Sequence, residues 1–577
     1  MESTTERSSD QGNTATRAVV TLLALNCLLL VPIWIGAGRL GPQWIALEAV
    51  AVAAALALLP GRLWARVAGA ALGVAVVAVT VLALGDATAR MSLARPLNLY
   101  LDMRLVPSVG HLIEGALGMP AAVAAGLAAL VVVALVGGVG LALARLPGSV
   151  EQRPRLRVAV AAALVATAIA VPARWAHPAG VVLGTTGVDL IRYQADHWQR
   201  MVREKAAFAA ELASPVPASA NAAPPLAGLG GRDVVLAFIE SYGVSALDDP
   251  RYAPVLVPRI EAMGRALADR GLHIVSGRLV APSQGGMSWL GHGSILSGLW
   301  LDNQMRYDLL LASRRTTLVD DFESAGYRTA ALMPAITLAW PEGERFGYEQ
   351  IFAHADIDYA GPPLNWVTMP DQFTWSFLEN RIRRSDDPRP LFAELGLISS
   401  HAPWTPILEV LDDWDSIGDG AVFQRWAGAG EAPESLWKDG DRVREHYARS
   451  VAYAVDAMAA WAARYVSDDV LLIALGDHQP APLITGEDAD RSVPVHVIAS
   501  DPALLAPFID WGFTEGAWPP LETAPRRMDA FRPWFLDAFA SPPPATPTRR
   551  ASRNRQGPSS VAADAPDGGI SSPRRRP

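Results

Sequence analysis

Five apolar runs crowd the first third of the chain, at about 17–38, 42–60, 64–85, 118–144 and 156–173. Each is close to the ~20 residues that a helix needs to cross a bilayer. The first, "RAVVTLLALNCLLLVPIWIGAG", reads as an uncleaved anchor rather than a signal peptide, because it is long and further spans follow. If the N-terminus lies inside, the inner segments carry Arg7, Arg17, Arg62, Arg66, Arg145, Arg153, Arg155 and Arg157, and the outer loops carry Arg39, Arg90, Arg95 and Arg104. That asymmetry favours an inside N-terminus. Five crossings then place everything after about residue 176 on the outer face, a conclusion that depends on the odd number.

The remaining texture sets the domain plan: a cytoplasmic tail over 1–16, a transmembrane domain of about five helices over 17–176, and an amphipathic helix with a Pro/Ala/Gly linker over 177–231. An outward-facing α/β domain fills 232–539, and a disordered Pro/Ser/Ala/Arg tail fills 540–577. The loop "MSLARPLNLYLDMRLVPSVGHLIEGALG" is too polar to span and reads as a re-entrant or interfacial segment, and the amphipathic stretch 177–212 as a helix on the membrane surface. The single cysteine, Cys27, excludes an internal disulfide and any cysteine zinc cluster. A net charge of -9 argues against nucleic acid as a partner.

From residue 232 short apolar runs alternate with helical patterns. "DVVLAFIE", "LFAELGLIS" and "VLLIALG" read as buried strands, and "APVLVPRIEAMGRALADRG" and "HYARSVAYAVDAMAAWAARYV" as helices. This predicts a mostly parallel central sheet sandwiched by helices. Sites in such sheets form beyond the carboxyl ends of the strands. Glu240 stands at one such end, His401 follows a second, and Asp477 and His478 follow a third. "PSQGGMSWLGHGSILSG" is a Gly/Ser-rich loop opening a helix, with Ser288 behind two glycines. Oxygen ligands plus one imidazole suit Zn²⁺, Mn²⁺ or Mg²⁺, and an ion explains why an acid and an imidazole stand side by side where a strand stops. A serine beside such an ion becomes a nucleophile. Taken singly, each residue has a plainer reading as a cap, a turn or a solvated side chain. The coincidence of all of them in one α/β domain carries the case.

The order and wording of these segments resemble the sulfatase/alkaline-phosphatase superfamily, in particular the membrane-anchored lipoteichoic acid synthase and phosphoglycerol transferase group. "FIESYG", "GGMSWLGHGSILSGL", "SSHAPW" and "LGDHQP" carry the resemblance, over about 232–510. It implies one divalent metal ion held by Glu240, Ser288, Asp477 and His478. It also implies Ser288 as nucleophile where the group has threonine, and His401 as a substrate contact or acid. Trp340 resembles a substrate-contacting tryptophan of the group, Arg345 is the candidate for its arginine, and His292 stands where an acidic residue is common. The implied activity is metal-dependent head-group transfer or hydrolysis of a phosphodiester, with a membrane lipid or envelope glycan as substrate, in a bacterial cell (inner) membrane. A sulfuric ester hydrolase on the same scaffold is one alternative, and a non-catalytic envelope protein another. The formylglycine spelling C/S-x-P-x-R is absent at Ser288, where Trp289 and Leu290 follow; "SSPRR" at Ser571–Arg575 matches it only by chance in an arginine-rich tail.

Overall fold

Charge-free stretches of Ala, Val and Leu become helices because in hydrocarbon the backbone must satisfy its own hydrogen bonds. The computed structural model describes residues 2–37, 40–93, 95–103, 119–176, 182–213, 226–486, 488–520 and 524–541. The linker at 214–225, most of the third loop (104–118) and the tail from 542 lie outside the described residues. The helical layer holds α1 (Glu2–Gly36), α2 (Leu47–Leu58), α3 (Leu63–Leu93), α4 (Met119–Ala144) and α5 (Pro154–Ala176). Four of these carry segments long and apolar enough to cross a membrane: Arg17–Gly36, Leu63–Ser92, Gly126–Ala144 and Pro154–Ala173. Leu127, Leu130, Val131 and Val133 of α4 stand exposed, the pattern of a surface that faces lipid.

The second run departs from a full-length span. Its helix α2 has only 12 residues. The chain before it is extended, and Ile45–Ala46 pair in parallel with Leu183–Gly184. Extended chain rises more than twice as far per residue as helix, so fewer helical residues complete the crossing. The bare backbone is satisfied from α1: Asn26 donates from Nδ2 to the Trp44 carbonyl at 2.9 Å and accepts from the Ala46 N–H at 2.7 Å.

Helix directions follow from contacts. Thr80 Oγ1 donates to the Leu28 carbonyl at 3.2 Å, and Gly36 approaches Ala87, so α1 and α3 run parallel. Gly69 faces Leu143 and Gly73 faces Gly140, so α3 and α4 run antiparallel. The Gly148 N–H donates to the Leu59 carbonyl at 2.8 Å, joining the end of α2 to the turn after α4. Among the described residues, α1 and α3 thus run one way through the layer and α4 the other.

The amphipathic stretch forms helix α6 (Thr186–Ala213), which does not lie flat outside the layer along its whole length. Thr186 Oγ1 donates to the Leu29 carbonyl at 3.2 Å, about two turns before the end of α1, and the Val188 N–H donates to Glu48 at 3.1 Å. Gln194 then meets Leu97 beyond α3, and Phe208 is buried in the α/β core. Glu204 takes a 2.7 Å hydrogen bond from Arg306. The helix thus runs from within the helical layer to the α/β domain.

That domain is built on a nine-stranded sheet. Its strands are β1 (Asp233–Ile239), β2 (His273–Val280), β3 (Arg328–Met333), β4 (Gln350–Ala353), β5 (Leu391–Leu397), β6 (Val470–Gly476), β7 (Ser492–Ala499), β8 (Thr514–Glu515) and β9 (Arg526–Arg527). The order is β8-β2-β7-β6-β1-β5-β3-β4, with β9 on β2. The block β6-β1-β5-β3-β4 is parallel, whereas β7 runs antiparallel to both β6 and β2. The sheet is mixed, and the candidate site residues Glu240, His401, Asp477 and His478 follow strands of its parallel block. Helices α7 (Ala253–Ala268) and α9 (Gly440–Tyr465) pack with one face, where Trp375 stacks on Trp461 at 4.7 Å.

His496 of β7 is fully buried, with Nδ1 2.9 Å from Ser276 Oγ and Nε2 3.0 Å from the Tyr242 hydroxyl. Burial depresses its pKa to about 4. The folded state keeps this ring neutral while the unfolded chain protonates near 6.5, so the contribution is complete above about 6.5 and is lost as pH falls toward 4. The size is about 3 kcal/mol. Thermal unfolding measured from pH 7 down to pH 4 is expected to show a steep fall in midpoint, and a shallower one in His496→Gln.

Candidate metal centre and nucleophile

Register brings the site together. Ile239 at the end of β1 lies opposite Gly476 of β6 on one side and Leu397 of β5 on the other. The residues that follow therefore emerge along one sheet edge: Glu240 after β1, Asp477 and His478 after β6, and the Ile398–His401 turn after β5. Gly476 has to be glycine, because a Cβ there would lie 1.9 Å from the Tyr242 carbonyl oxygen. This close approach lets the turn after β1 fold over the end of β6.

Asp477 and His478 share one ion-sized space because the strand has ended. Asp477 Oδ1 accepts from the Ser241 and His478 N–H groups, both at 2.7 Å, and Oδ2 comes within 3.6 Å of His478 Nε2. His478 Nδ1 lies 2.9 Å from the Gln479 carbonyl, which accepts its proton. In the neutral ring that leaves the Nε2 lone pair facing inward, toward Glu240 Oε1 at 3.6 Å. The ligand atoms of Glu240, Asp477 and His478 all lie within 4.8 Å of one another, and all three residues are buried. Two carboxylates and an imidazole lone pair converge with no cationic side chain among them. Buried charge of this kind has to be neutralised, and the N/O donor set fits a divalent metal.

Electrostatics carry the same signature. Burial, reinforced by the charge of Glu240, pushes Asp477 up to about 6. Burial also works to raise Glu240, but His478 and His401 outweigh it and hold that carboxyl below its ordinary value. His478 loses basicity to burial and regains more from Asp477 and Glu240. Without a metal, a proton between these groups balances the charge that an ion would otherwise balance.

Ser288 is the first residue of helix α8 (Ser288–Ser297). The loop before it holds three successive left-handed or glycine-only conformations, Gly285 (φ +74°), Gly286 (φ +139°) and Met287 (φ +64°). This sharp entry exposes the serine at the helix N-terminus, where backbone N–H groups and the helix dipole favour an anion. Ser288 Oγ stands 3.3 Å from Glu240 Oε2 and 3.3 Å from His478 Nε2. The nucleophile candidate and the three ligand candidates thus form one cluster.

The other sequence candidates take separate places. His401 follows β5, its Nδ1 turned to the Ala402 carbonyl and its ring 6.1 Å from Trp366, close enough for its charge to act on Glu240. His292, one helical turn beyond Ser288, stacks on Phe238 at 3.7 Å and binds the buried Glu394 through Nδ1 at 2.8 Å. Glu394 in turn accepts from the Tyr348 hydroxyl. Trp340 packs beside Tyr348 at 6.4 Å and covers Gly343. Arg345 is committed to the backbone carbonyls of Leu311 and Ser313, so its guanidinium does not join the cluster.

Several contributors escaped the sequence reading. Ser241 donates to Glu240 Oε1 at 2.7 Å, and Ser400 Oγ donates to the Glu240 carbonyl at 2.6 Å. Buried Asp371 accepts from the Ile398 and Ser399 N–H groups, both at 2.8 Å, and so fixes the turn that leads to His401. The serines adjoin recognised residues, which was the available signal; Asp371, 27 residues before Ile398, offered none.

No family model and no curated protein matches the sequence. Solved structures do resemble it. The lipoteichoic acid synthase LtaP from Listeria monocytogenes aligns over 54% of this chain and 72% of its own, at 11% identity and a TM-score of 0.34. The Streptococcus pyogenes phosphoglycerol transferase GacH, in complex with sn-glycerol-1-phosphate, aligns over 52% and 74%, at 13% identity and a TM-score of 0.34. A Vibrio parahaemolyticus protein of the alkaline phosphatase superfamily aligns over 52% and 69%, at 16% identity and a TM-score of 0.31.

Ion binding only to the folded protein stabilises it by about 2.7 kcal/mol at 100-fold excess over Kd. Chelation is therefore expected to lower the thermal midpoint of the wild-type protein by several degrees. His478→Ala should start lower and lose this sensitivity, as followed by tryptophan fluorescence on heating.

Proposed function

We propose that this chain is a membrane-anchored, metal-dependent transferase or hydrolase of phosphodiesters, acting through Ser288. The observation that carries the reading is the placement of Ser288 Oγ, at a helix N-terminus and 3.3 Å from both Glu240 and His478. A divalent cation held by Glu240, Asp477, His478 and the Ser288 oxygen would supply the positive charge that makes a serine hydroxyl nucleophilic at neutral pH.

Ser288 Oγ forms a bond to phosphorus while the bond to the leaving oxygen breaks. The serine proton goes to solvent, and His401 gives a proton to the leaving oxygen. The N–H groups at the start of α8 hold the non-bridging oxygens. In the second step an acceptor alcohol or water attacks phosphorus, its proton passes to His401, and Ser288 Oγ leaves and is reprotonated. Phosphodiester chemistry is favoured over sulfate chemistry because Ser288 lacks the P-x-R sequence that would mark it for conversion to an aldehyde.

Five apolar runs in the sequence, if each crosses, put the catalytic domain on the opposite side of the membrane from the N-terminus. The arginine asymmetry supports an N-terminus on the inner side, which fits a bacterial cell membrane. The substrate is a lipid or envelope component reachable from the outer face.

The purified protein, loaded with metal, is expected to hydrolyse a chromogenic phosphodiester and to leave the matched sulfate ester intact. Ser288→Ala should lower turnover at least about 10³-fold while keeping the chelator-sensitive melting of the wild type. Activity that survives the substitution would end the proposal.

A further inference from the structure

The chain enters α8 through a strained turn. Met287 is not a glycine, yet it holds φ +64°. A residue of this kind stays in the left-handed region only where its surroundings over-determine it. Ser288 comes next, so whatever holds the start of α8 also sets where the serine hydroxyl stands.

Backbone contacts press this start onto the turn after β6. The Gly285 N–H donates to the Gln479 carbonyl at 2.8 Å. A Cβ on Gly291 would fall 2.8 Å from the Asp477 carbonyl oxygen, so the helix runs directly over the segment that carries two of the candidate ligands. Among the described residues, the first side chain after Ser288 to reach the sheet through a polar contact is His292, four positions on and on the same helix face.

His292 is held on two sides. Its ring lies flat on Phe238, at 3.7 Å and 19°. Phe238 stands two residues before Glu240 and pairs with Gly396 of β5. The ring Nδ1 lies 2.8 Å from Oε1 of Glu394, also on β5, a side chain only 2% exposed. The Tyr348 hydroxyl donates to the other oxygen, Oε2, and burial together with the charge of Glu394 keeps that hydroxyl protonated. Each carboxylate oxygen thus has a donor, as a buried acid requires. Tyr348 in turn stacks beside Trp340 at 6.4 Å. The chain of contacts runs from α8 through β5 to the wall that carries Trp340, and His292 is close enough to the metal cluster for its charge to act on Asp477.

A buried ion pair is a poor source of stability, because desolvation offsets the attraction and apolar residues of similar size often serve as well. What it does impose is one geometry. We propose that the His292–Glu394 pair, with Tyr348 behind it, positions the nucleophile: it fixes the first turns of α8 at the strand ends and so sets the reach of Ser288 Oγ to the metal cluster. These are positioning residues, acting through Ser288. The proposal rests on Ser288 as the nucleophile for its kinetic readout, while the order of the helix start is measured without turnover.

The test uses the full-length, metal-loaded protein and the double variant His292→Phe/Glu394→Leu, which removes the pair without leaving a buried charge unpaired. Its melting is expected to stay chelator-sensitive, since Glu240, Asp477 and His478 are untouched. Against a chromogenic phosphodiester, kcat should fall at least about 30-fold with KM within about twofold, because a misplaced attacking atom acts on the chemical step. Amide exchange over 285–292 should quicken at least about fivefold, with β1 and β6 unchanged. The reversed pair, His292→Glu/Glu394→His, should regain at least about tenfold in kcat and restore slow exchange. A double variant with the turnover and exchange of the wild type would overturn the proposal, and so would a reversed pair no better than the apolar one. Should the double variant lose chelator-sensitive melting, Tyr348→Phe, which removes one donor to Glu394, takes its place: quicker exchange over 285–292 is expected, and unchanged exchange would overturn the proposal. A wild type inactive toward phosphodiesters would end the proposed reaction instead, and exchange alone would then decide whether the pair holds α8.

Discussion

Two carboxylates and an imidazole lone pair, buried within 4.8 Å of one another, define the charge problem that this molecule has to solve. Left alone, such a cluster is costly, since burial penalises every charge and the charge of Glu240 adds to the burial that raises the pKa of Asp477. The surrounding structure holds it in place nevertheless. Ser241, Ser400, the Gln479 carbonyl and the backbone N–H of His478 orient each group. A cation held there would relieve the repulsion, and in the proposed reading it would also engage the Ser288 oxygen.

The parallel block of the sheet makes the cluster possible. Ile239, Gly476 and Leu397 are in register, so three strand ends finish at one level and the residues after them meet. A slip of one residue on β6 would turn its side chains to opposite faces and separate Asp477 from Glu240. The antiparallel strand β7 lies outside this block and contributes packing, including the buried ring of His496.

Much of this was legible in sequence because the information is local. Apolar runs ending in Glu240, in the turn to His401 and in Asp477–His478 announce strands with polar ends, and Gly285-Gly286 before Ser288 announces a strained turn into a helix. What escaped depends on distant parts of the chain. Asp371 acts on a turn that sequence does not place near it. The second apolar run reads as a span of normal length, yet its first residues are extended because Asn26 and the 182–184 segment supply the hydrogen bonds that a helix would have made. The amphipathic pattern of α6 reads as a surface helix. Its first turns instead sit inside the layer, because Glu48 and the Leu29 carbonyl serve its N-terminus, and its last turns pack on the α/β domain. Arg345 matches an expected residue by position alone, and its guanidinium is spent on the end of helix Gln304–Ala312.

X-ray absorption spectroscopy at the metal edge tests the central claim most directly, applied to the full-length protein after loading with a single divalent metal. The account predicts one ion per chain, with a single imidazole and otherwise oxygen ligands at about 2.0–2.2 Å, and loss of the imidazole signal in His478→Ala. A protein that binds no ion, or an ion whose coordination is unchanged in that variant, would contradict it.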